Sequence, residues 1–316
     1  MDGTPTIRPS GSFNAERMAA KIQKAIKGIG TDERAIIEVL TTHTNSQRQD
    51  IKQKFKTMYG RDLADDLKKD LGGMFEDTCL GLLVPNYQYL VDCLYNAIKK
   101  DLNVNCIIDI LITYHNWDIK DIKQRYAEKY NEDLDIVIAN QFSGDFQRVL
   151  RSLLTANRSE STDIDGELSA KEAKLLLDSG MKILGTDEDQ FLRILCGYSF
   201  PQLSAIFSQY SKLAGHPIET AIANEFSGDL LTVFNGIVMI ANNIAYYYAV
   251  RLYSCIHGMG TDDETITRIL ISRSEIDLED IKDAYKKKYN RKLTDDIADD
   301  TGGDYKKLLL RILSPL

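Results

Sequence analysis

The sequence is poor in the features that mark several common classes of protein. Its 316 residues include one tryptophan, six prolines and five cysteines. The most apolar stretch, residues 236–250, is interrupted by Asn242 and Asn243, so no segment has the continuous apolar length of a membrane span. The N-terminus has neither the apolar region of a signal peptide nor the glycine that myristoylation requires. We therefore expect no membrane-spanning helix and no secretory leader.

The cysteines and histidines also lack the spacing of a known catalytic or metal motif. The cysteines are odd in number and widely spaced, with no CxxC pair, which is typical of reduced thiols in a cytosolic protein. The four histidines are scattered, and no HExxH or GxSxG motif occurs. We expect a cytoplasmic protein that is not an enzyme and has no disulfide framework or zinc site.

Positive charge is in the minority. The chain has 39 Lys and Arg against 47 Asp and Glu, for a formal net charge of −8 at pH 7. This balance disfavours nucleic acid as a partner and disfavours direct attraction to anionic lipid.

What the sequence does contain is an internal repeat. The segment GIGTD at 28–32 recurs as ILGTD at 183–187 and GMGTD at 258–262. A second signature ends at Gly73, Gly144, Gly228 and Gly303, and the interval between its second and third copies is the longest. That interval holds a polar stretch that predicts a linker between two halves. The predicted division is a tail (1–12), repeat 1 (13–84), repeat 2 (85–155), a linker (156–168), repeat 3 (169–240) and repeat 4 (241–316).

Each unit is predicted to be helical. Thr31, Thr186 and Thr261 stand where an N-cap would begin a helix, and acidic residues follow each of them. Thr261 with Glu264 fits a capping box. Apolar residues then recur every three or four positions, and few strands can be drawn. The sequence therefore predicts an all-α fold.

The glycine-rich loops suit a cation better than a phosphate. Phosphate binding would require a P-loop lysine or a Rossmann glycine pattern after a strand, and neither is present. Glycine allows backbone angles that aim consecutive carbonyl oxygens at one point, and Ca²⁺ takes about six to eight oxygens. Because carbonyls carry no net charge, a carboxylate is expected from elsewhere in the chain.

The spacing supplies that carboxylate in three units. An acid follows the last glycine of the loop at an identical distance along the sequence in each case. The three pairs are Gly30 with Asp70, Gly185 with Glu225, and Gly260 with Asp300. Three copies of one loop and one acid at one spacing predict three calcium sites.

Repeat 2 departs from this pattern in both parts of the site. Lys99, Lys100 and Leu102 occupy its loop in place of the glycines, and the loop is one residue shorter. Gln141 stands at the position of the distant acid. We predict no calcium site in this repeat.

The segment 161–172 has a separate resemblance to an EF-hand calcium loop. It has acids at its third and fifth positions, glycine at its sixth and Glu172 at its twelfth. Ser161 at the first position removes a charged ligand. The alternative is a polar linker in which Ser169 caps the next helix.

The combination of motifs resembles an annexin. The four successive units, the Gly-x-Gly-Thr-Asp loops and the distant acids carry the resemblance, together with the segments NSQRQ at 45–49, LLTANR at 153–158 and SRSEID at 272–277. It extends from about residue 13 to residue 313. The resemblance implies four bundles of about five helices, which form a curved disc with the calcium loops on its convex face.

The resemblance also implies the ligands. Each site would combine three backbone carbonyls with the distant carboxylate. The expected ligands are Ile26, Gly28, Gly30 and Asp70 in repeat 1, Gly180, Ile183, Gly185 and Glu225 in repeat 3, and Ile256, Gly258, Gly260 and Asp300 in repeat 4. Weaker accessory sites would use Thr31 with Glu33, Thr186 with Glu188, and Thr261 with Asp263.

The implied function is calcium-dependent binding to anionic phospholipid membranes, in which Ca²⁺ bridges the protein to lipid phosphates. The protein would be cytoplasmic and would attach peripherally to membranes when calcium rises. The alternative is a calcium-triggered binder of protein partners or cytoskeleton that meets membranes incidentally. Lateral self-association is left open.

Overall fold

The structure, a computed structural model, describes residues 3–28, 30–180, 188–258 and 260–315. Within these ranges the chain forms twenty α-helices and no β-strand. The helices fall into four successive groups of five, so the predicted all-α fold is confirmed. None of the helices in the described ranges is long and apolar enough to cross a bilayer.

The bounds of the helices are as follows. Repeat 1 contains α1 (Ala15–Ala25), α2 (Glu33–Thr41), α3 (Asn45–Tyr59), α4 (Leu63–Asp70) and α5 (Gly73–Leu82). Repeat 2 contains α6 (Asn86–Lys99), α7 (Val104–Thr113), α8 (Asn116–Tyr130), α9 (Leu134–Gln141) and α10 (Gly144–Leu154). Repeat 3 contains α11 (Gly166–Gly180), α12 (Glu188–Gly197), α13 (Phe200–Ala214), α14 (Ile218–Glu225) and α15 (Gly228–Asn242). Repeat 4 contains α16 (Ile244–His257), α17 (Asp263–Arg273), α18 (Leu278–Tyr289), α19 (Leu293–Asp300) and α20 (Gly303–Leu313).

The chain divides into two compact units that are not its two sequence halves. One unit joins the chain up to Tyr89 to the chain from Tyr248 onward, and the other is Leu90–Tyr247. In the first unit, α2 and α5 pack against α20, and α5 also packs against α17. In the second unit, α7 and α10 pack against α15, and α10 packs against α12. Residues 156–168, which the sequence predicts to join two halves, lie inside the second unit because repeats 2 and 3 share a core.

The short helices are stabilised by packing of their apolar faces, as α1 illustrates. Helix α1 buries Met18, Ala19, Ile22 and Ala25, which recur at helical spacing, and it packs against α2 and α3. Burial of a side chain the size of Ile22 stabilises the fold by roughly 2 kcal/mol. Helices as short as these are marginal in isolation, so this packing decides that they form.

A left-handed residue ends the third helix of every repeat. Gly60, Asn131, Gly215 and Asn290 have φ angles of 69°, 53°, 75° and 54°. Only glycine adopts this conformation freely, and asparagine tolerates it. The same turn therefore leads from the third helix to the fourth in all four repeats.

The residue that caps the fourth helix differs among the repeats. Asp62 and Asp133 accept a hydrogen bond at 2.8 Å from the backbone N–H group two residues later. Pro217 and Lys292 stand at the equivalent positions of repeats 3 and 4 and accept no such bond. Helices α14 and α19 therefore begin without a contribution of about 1 kcal/mol that α4 and α9 receive.

The N-terminal residues are bound to repeat 4. The backbone N–H of Thr4 donates to Asp280 Oδ2 at 2.6 Å. The N–H groups of Thr6 and Ile7 both donate to the carbonyl oxygen of Ser274 at 2.9 Å. Ile7 is 1% exposed, so this part of the short predicted tail belongs to the core of the first unit.

A buried arginine connects helix ends in the first unit. Arg48 lies in α3 and is 1% exposed. Its guanidinium donates to the carbonyl oxygens of Leu40, His43 and Leu82. It also donates to Glu275 Oε1 at 2.9 Å. Burial lowers the pKa of Arg48 to about 10, although the charge of Glu275 opposes this effect.

We expect Arg48→Met to lower the free energy of unfolding by about 3–5 kcal/mol, because it removes the donor of three carbonyl groups and the charged partner of Glu275. Chemical denaturation followed by circular dichroism measures the change. Arg34→Met, at an exposed position of α2, is the control and should change stability by less than about 0.5 kcal/mol. Similar losses in the two variants would contradict the role given to Arg48.

Candidate metal centres

One backbone hydrogen bond closes the loop after the first helix in repeats 1 and 4. The N–H of Asp32 donates to the carbonyl oxygen of Ala25, and the N–H of Asp262 donates to that of Cys255, both at 2.9 Å. Each bond encloses the predicted glycines and ties the last turn of the first helix to the start of the second. The two loops therefore share one closure.

The glycines of these loops are required by the backbone. Gly30 and Gly260 have φ angles of 86° and 87°, and Gly28 has a φ of 122°, which side-chain-bearing residues rarely adopt. Gly258 is required for a different reason, since a Cβ there would lie 2.7 Å from the carbonyl oxygen of Ser254. Larger residues would displace the carbonyls that are predicted to bind the cation.

The predicted caps at Thr31 and Thr261 are wrong, and Thr186 lies outside the described residues. Helices α2 and α17 begin one residue later than predicted, and Asp32 and Asp262 are their N-caps. Each aspartate accepts from the backbone N–H three residues on, at 3.0 Å. A carboxylate suits the positive end of a helix better than a hydroxyl does. Thr261 and Glu264 therefore form no capping box.

In repeat 4 the loop meets the distant acid. Thr261 Oγ1 donates to Asp300 Oδ2 at 2.7 Å. Asp300 is the last residue of α19, as Asp70 is of α4 and Glu225 is of α14. Each predicted acid thus ends the fourth helix of its repeat, and in repeat 4 a residue of the loop contacts it directly.

In repeat 1 both predicted acids line one cavity. Asp70 and the accessory residue Glu33 face a cavity of about 360 Å³. Tyr305 of repeat 4 lines the same cavity. Ile26, a predicted carbonyl ligand, directly follows α1, and its N–H remains bonded to Ile22.

Part of the repeat 3 site lies outside the described residues. This applies to the predicted ligands Ile183 and Gly185 and to the accessory residue Thr186. Of the described ligands, Gly180 is the last residue of α11 and Glu225 the last of α14. Glu188 is the first residue of α12.

Negative charge accumulates beside the repeat 4 loop. Burial raises the pKa of Asp263, and the charges of Asp300 and Asp262 add to this effect. Tyr305 Oη donates to the backbone carbonyl oxygen of Asp263 at 3.2 Å. Nothing in the sequence pattern pointed to Tyr305 other than its position two residues after Gly303. Carboxylates that raise one another's pKa are relieved by a bound cation.

Repeat 2 confirms the predicted shorter loop. The N–H of Asn103 donates to the carbonyl oxygen of Ala97 at 2.9 Å, so the closing bond spans one residue fewer than in repeats 1 and 4. Lys99 Nζ forms an ion pair with Glu132 Oε1 at 2.9 Å. Gln141 ends α9 where the other repeats have an acid. The absence of calcium from this repeat stays a prediction.

The EF-hand interpretation of 161–172 does not match the structure. Glu172, its twelfth residue, is 3% exposed within α11 and accepts hydrogen bonds from Arg193 and from Tyr198 Oη at 2.9 Å. Asp165 accepts from the N–H of Leu168 at 3.0 Å and so caps α11. Asp165, rather than Ser169, performs the capping that the alternative assigned.

The donor set of the described residues fits a cation held largely by carbonyl groups. Across these residues, no three side chains of His, Cys, Asp or Glu converge to hold a metal. None of the five cysteines forms a disulfide, as the sequence predicted. A cation at the loops would therefore depend on backbone oxygens with a single carboxylate, which suits a hard ion such as Ca²⁺.

A sequence model of the family described as annexin matches four segments of the chain, residues 17–82, 89–153, 171–235 and 247–312. Human annexin A13 is 41% identical to the chain over 306 residues, which cover 96% of each protein.

Solved structures give the same relationship. A structure of annexin III superposes with a TM-score of 0.95 at 39% identity and covers 99% of this chain and 98% of the other. A structure of calcium-bound annexin (Sm)1 superposes with a TM-score of 0.87 at 31% identity and covers 99% and 94%.

We expect Asp32→Ala and Asp262→Ala each to lower the free energy of unfolding by about 1 kcal/mol, because each removes an N-cap. Urea denaturation without calcium measures this loss apart from any effect on a cation. Thr31→Ala, one residue earlier, should cost less than about 0.5 kcal/mol. The cap assignment fails if Thr31→Ala costs as much as Asp32→Ala.

Proposed function

This chain belongs to the annexin family, and from that premise we propose that it binds anionic phospholipid membranes in a calcium-dependent manner. The observation that carries the proposal is the pairing of a closed glycine loop with an acid at the end of the fourth helix. Thr261 contacts Asp300 in repeat 4, whereas repeat 2 lacks both the glycines and the acid. Loss of both parts together is expected if they serve one function.

The proposed ligands are those named from the sequence. In repeat 4 the carbonyl oxygens of Ile256, Gly258 and Gly260 would act with the Asp300 carboxylate. The positive φ of Gly260 and the close approach of Gly258 to Ser254 support a loop shaped for its carbonyls. Repeats 1 and 3 would use the equivalent residues, and the accessory acids Glu33, Glu188 and Asp263 would hold weaker sites.

The number of oxygen ligands that the protein supplies supports a role at the membrane. Three carbonyls and one bidentate carboxylate give about five ligands, fewer than Ca²⁺ usually takes. Water would complete the coordination in solution, and a lipid phosphate oxygen would replace it at a membrane. Because this coupling is reciprocal, anionic lipid should raise the affinity for calcium as calcium raises the affinity for lipid.

Calcium also changes the charge of the protein. Three bound ions would add six positive charges and raise the formal net charge from −8 to −2. The change is concentrated at the loops, next to acids such as Asp262, Asp263 and Asp300. An acidic surface that repels anionic lipid until calcium binds acts as a switch.

We assign the chain no catalytic role. Its four histidines make separate local contacts, such as His43 Nδ1 with the carbonyl oxygen of Val39 and His257 Nε2 with Asp296. Neither arrangement places a nucleophile beside a general base. Attachment to the membrane would be peripheral and reversible.

We expect Asp70→Ala, Glu225→Ala and Asp300→Ala each to raise the calcium concentration for half-maximal vesicle binding by roughly tenfold, because each removes the only charged ligand of its site. Co-sedimentation with phosphatidylserine vesicles across a calcium titration measures the effect. Gln141→Ala, at the equivalent position of repeat 2, is the matched control and should change nothing.

The outcomes separate the ligand assignment from the function. Unchanged binding in all three acid variants would contradict the assignment. No calcium-dependent sedimentation of the unaltered protein would reject membrane binding and would leave the calcium-triggered binder of protein partners.

A further inference from the structure

The turn between α18 and α19 in repeat 4 concentrates positive charge on an acidic chain. Five basic residues lie within seven positions there, and all five are exposed. We call this set the basic corner; it consists of Lys286, Lys287, Lys288, Arg291 and Lys292.

The other repeats do not share this charge. All four turns can be aligned on the left-handed residue, which is Asn290 in repeat 4. At the five equivalent positions, repeat 1 has Lys56 and Arg61 with an acid, and repeat 3 has Lys212 as its one lysine. Repeat 2 has one lysine and three acids. The basic corner is therefore a feature of repeat 4 and not of the repeat as such.

Helix stability explains part of the basic corner but not Lys292. Lysines in the last turn of α18 suit the negative end of that helix. Lys292 stands instead at the N-cap of α19, where Asp62 and Asp133 cap the equivalent helices. Lysine offers no acceptor and places positive charge at the positive end of the helix. Lys292 therefore does not serve the stability of α19.

The basic corner adjoins the proposed calcium site of repeat 4. Arg291 Nη2 lies 3.5 Å from Oδ2 of Asp299, the neighbour of Asp300. Arg291 also donates to Asp296, whose other carboxylate oxygen lies 3.1 Å from Nε2 of His257. His257 directly precedes the glycines of the loop. Arg291 thus contacts the neighbour of one proposed ligand, and Asp296 connects it to the residue that precedes the loop.

Two of the four acids of α19 are paired with Arg291 of the basic corner. Asp296 and Asp299 are paired with Arg291, and Asp296 also accepts from Tyr285 Oη at 2.6 Å. Asp300 is assigned to calcium. Asp296 and Asp299 therefore offset the charge of Arg291, and the positive charge that the basic corner offers to a partner comes chiefly from its lysines.

We propose that the basic corner binds the head groups of an anionic phospholipid surface directly, through contacts that no calcium ion mediates, once calcium has brought the protein to the membrane. The inference rests on the proposed membrane function and adds a second kind of contact to it. A lysine close to an anionic bilayer raises affinity about fivefold, and the effect decays within a Debye length of about 10 Å at 0.1 M salt. Binding would therefore have a salt-sensitive component that calcium does not supply.

Lys292→Asp tests the proposal because a functional and a structural role predict opposite results. The variant restores the cap seen in repeats 1 and 2, so its melting temperature should rise by about 2 °C. Its affinity for phosphatidylcholine–phosphatidylserine vesicles at saturating calcium should fall at least about fivefold. A stabilised variant with unchanged vesicle affinity would overturn the proposal.

Lys287→Gln and Lys212→Gln form a matched pair for the case in which Lys292→Asp disturbs the fold. Both lysines occupy the same position of the third helix, and both are exposed. Lys287→Gln should weaken vesicle binding about fivefold and reduce its salt dependence, whereas Lys212→Gln should do neither. Equal affinities for the two variants would overturn the proposal.

The same vesicle assay distinguishes failure of calcium-dependent membrane binding from failure of the role proposed for the basic corner. If the unaltered protein does not bind vesicles in the presence of calcium, the proposed function is rejected, and the proposed role of the basic corner is rejected with it. If the unaltered protein binds and the corner variants bind equally well, only the role of the basic corner is rejected.

Discussion

The backbone hydrogen bond that closes the loop after the first helix sets the geometry on which the candidate sites depend. It fixes where the second helix begins, since Asp32 and Asp262 both donate this bond and cap that helix. It also forces the enclosed chain into dihedral angles that only glycine adopts, as at Gly30 and Gly260. The shape of the carbonyl array is therefore a consequence of one short closure, and the shortened closure at Asn103 accompanies the loss of the ligands in repeat 2.

The sequence predicted the helical repeats well because they are periodic. The ligand assignment rests on the same periodicity and stays a prediction. A loop and an acid at a fixed spacing, repeated three times, are hard to obtain by chance. Finer assignments failed where two residue types could do one task. Threonine and aspartate are both good N-caps, and no pattern in the sequence shows that the N–H of Asp32 reaches back to Ala25.

Packing between repeats could not be predicted, because it depends on which surfaces meet. The polar stretch near residue 160 indicated two halves, yet repeat 1 packs with repeat 4 and repeat 2 with repeat 3. The burial of Arg48 could not be predicted from the sequence for a related reason. A charged residue in an amphipathic helix is expected at the surface, and only the carbonyl groups at the ends of α2 and α5, with Glu275, make its burial favourable.

The first unit is assembled from two separate segments of the chain, and this affects how the protein folds during biosynthesis. Its two parts flank the second unit in the sequence, and the residues that tie Thr4, Thr6 and Ile7 in place come from repeat 4. At about 5–20 residues per second, a ribosome needs roughly 8–30 s to translate the intervening stretch. During that interval repeat 1 has been translated and repeat 4 has not, so the apolar surface of repeat 1 that packs against repeat 4 stays exposed. Residues Leu90–Tyr247 of the second unit are translated without interruption. The nascent chain is thus most exposed to misassociation in its oldest part.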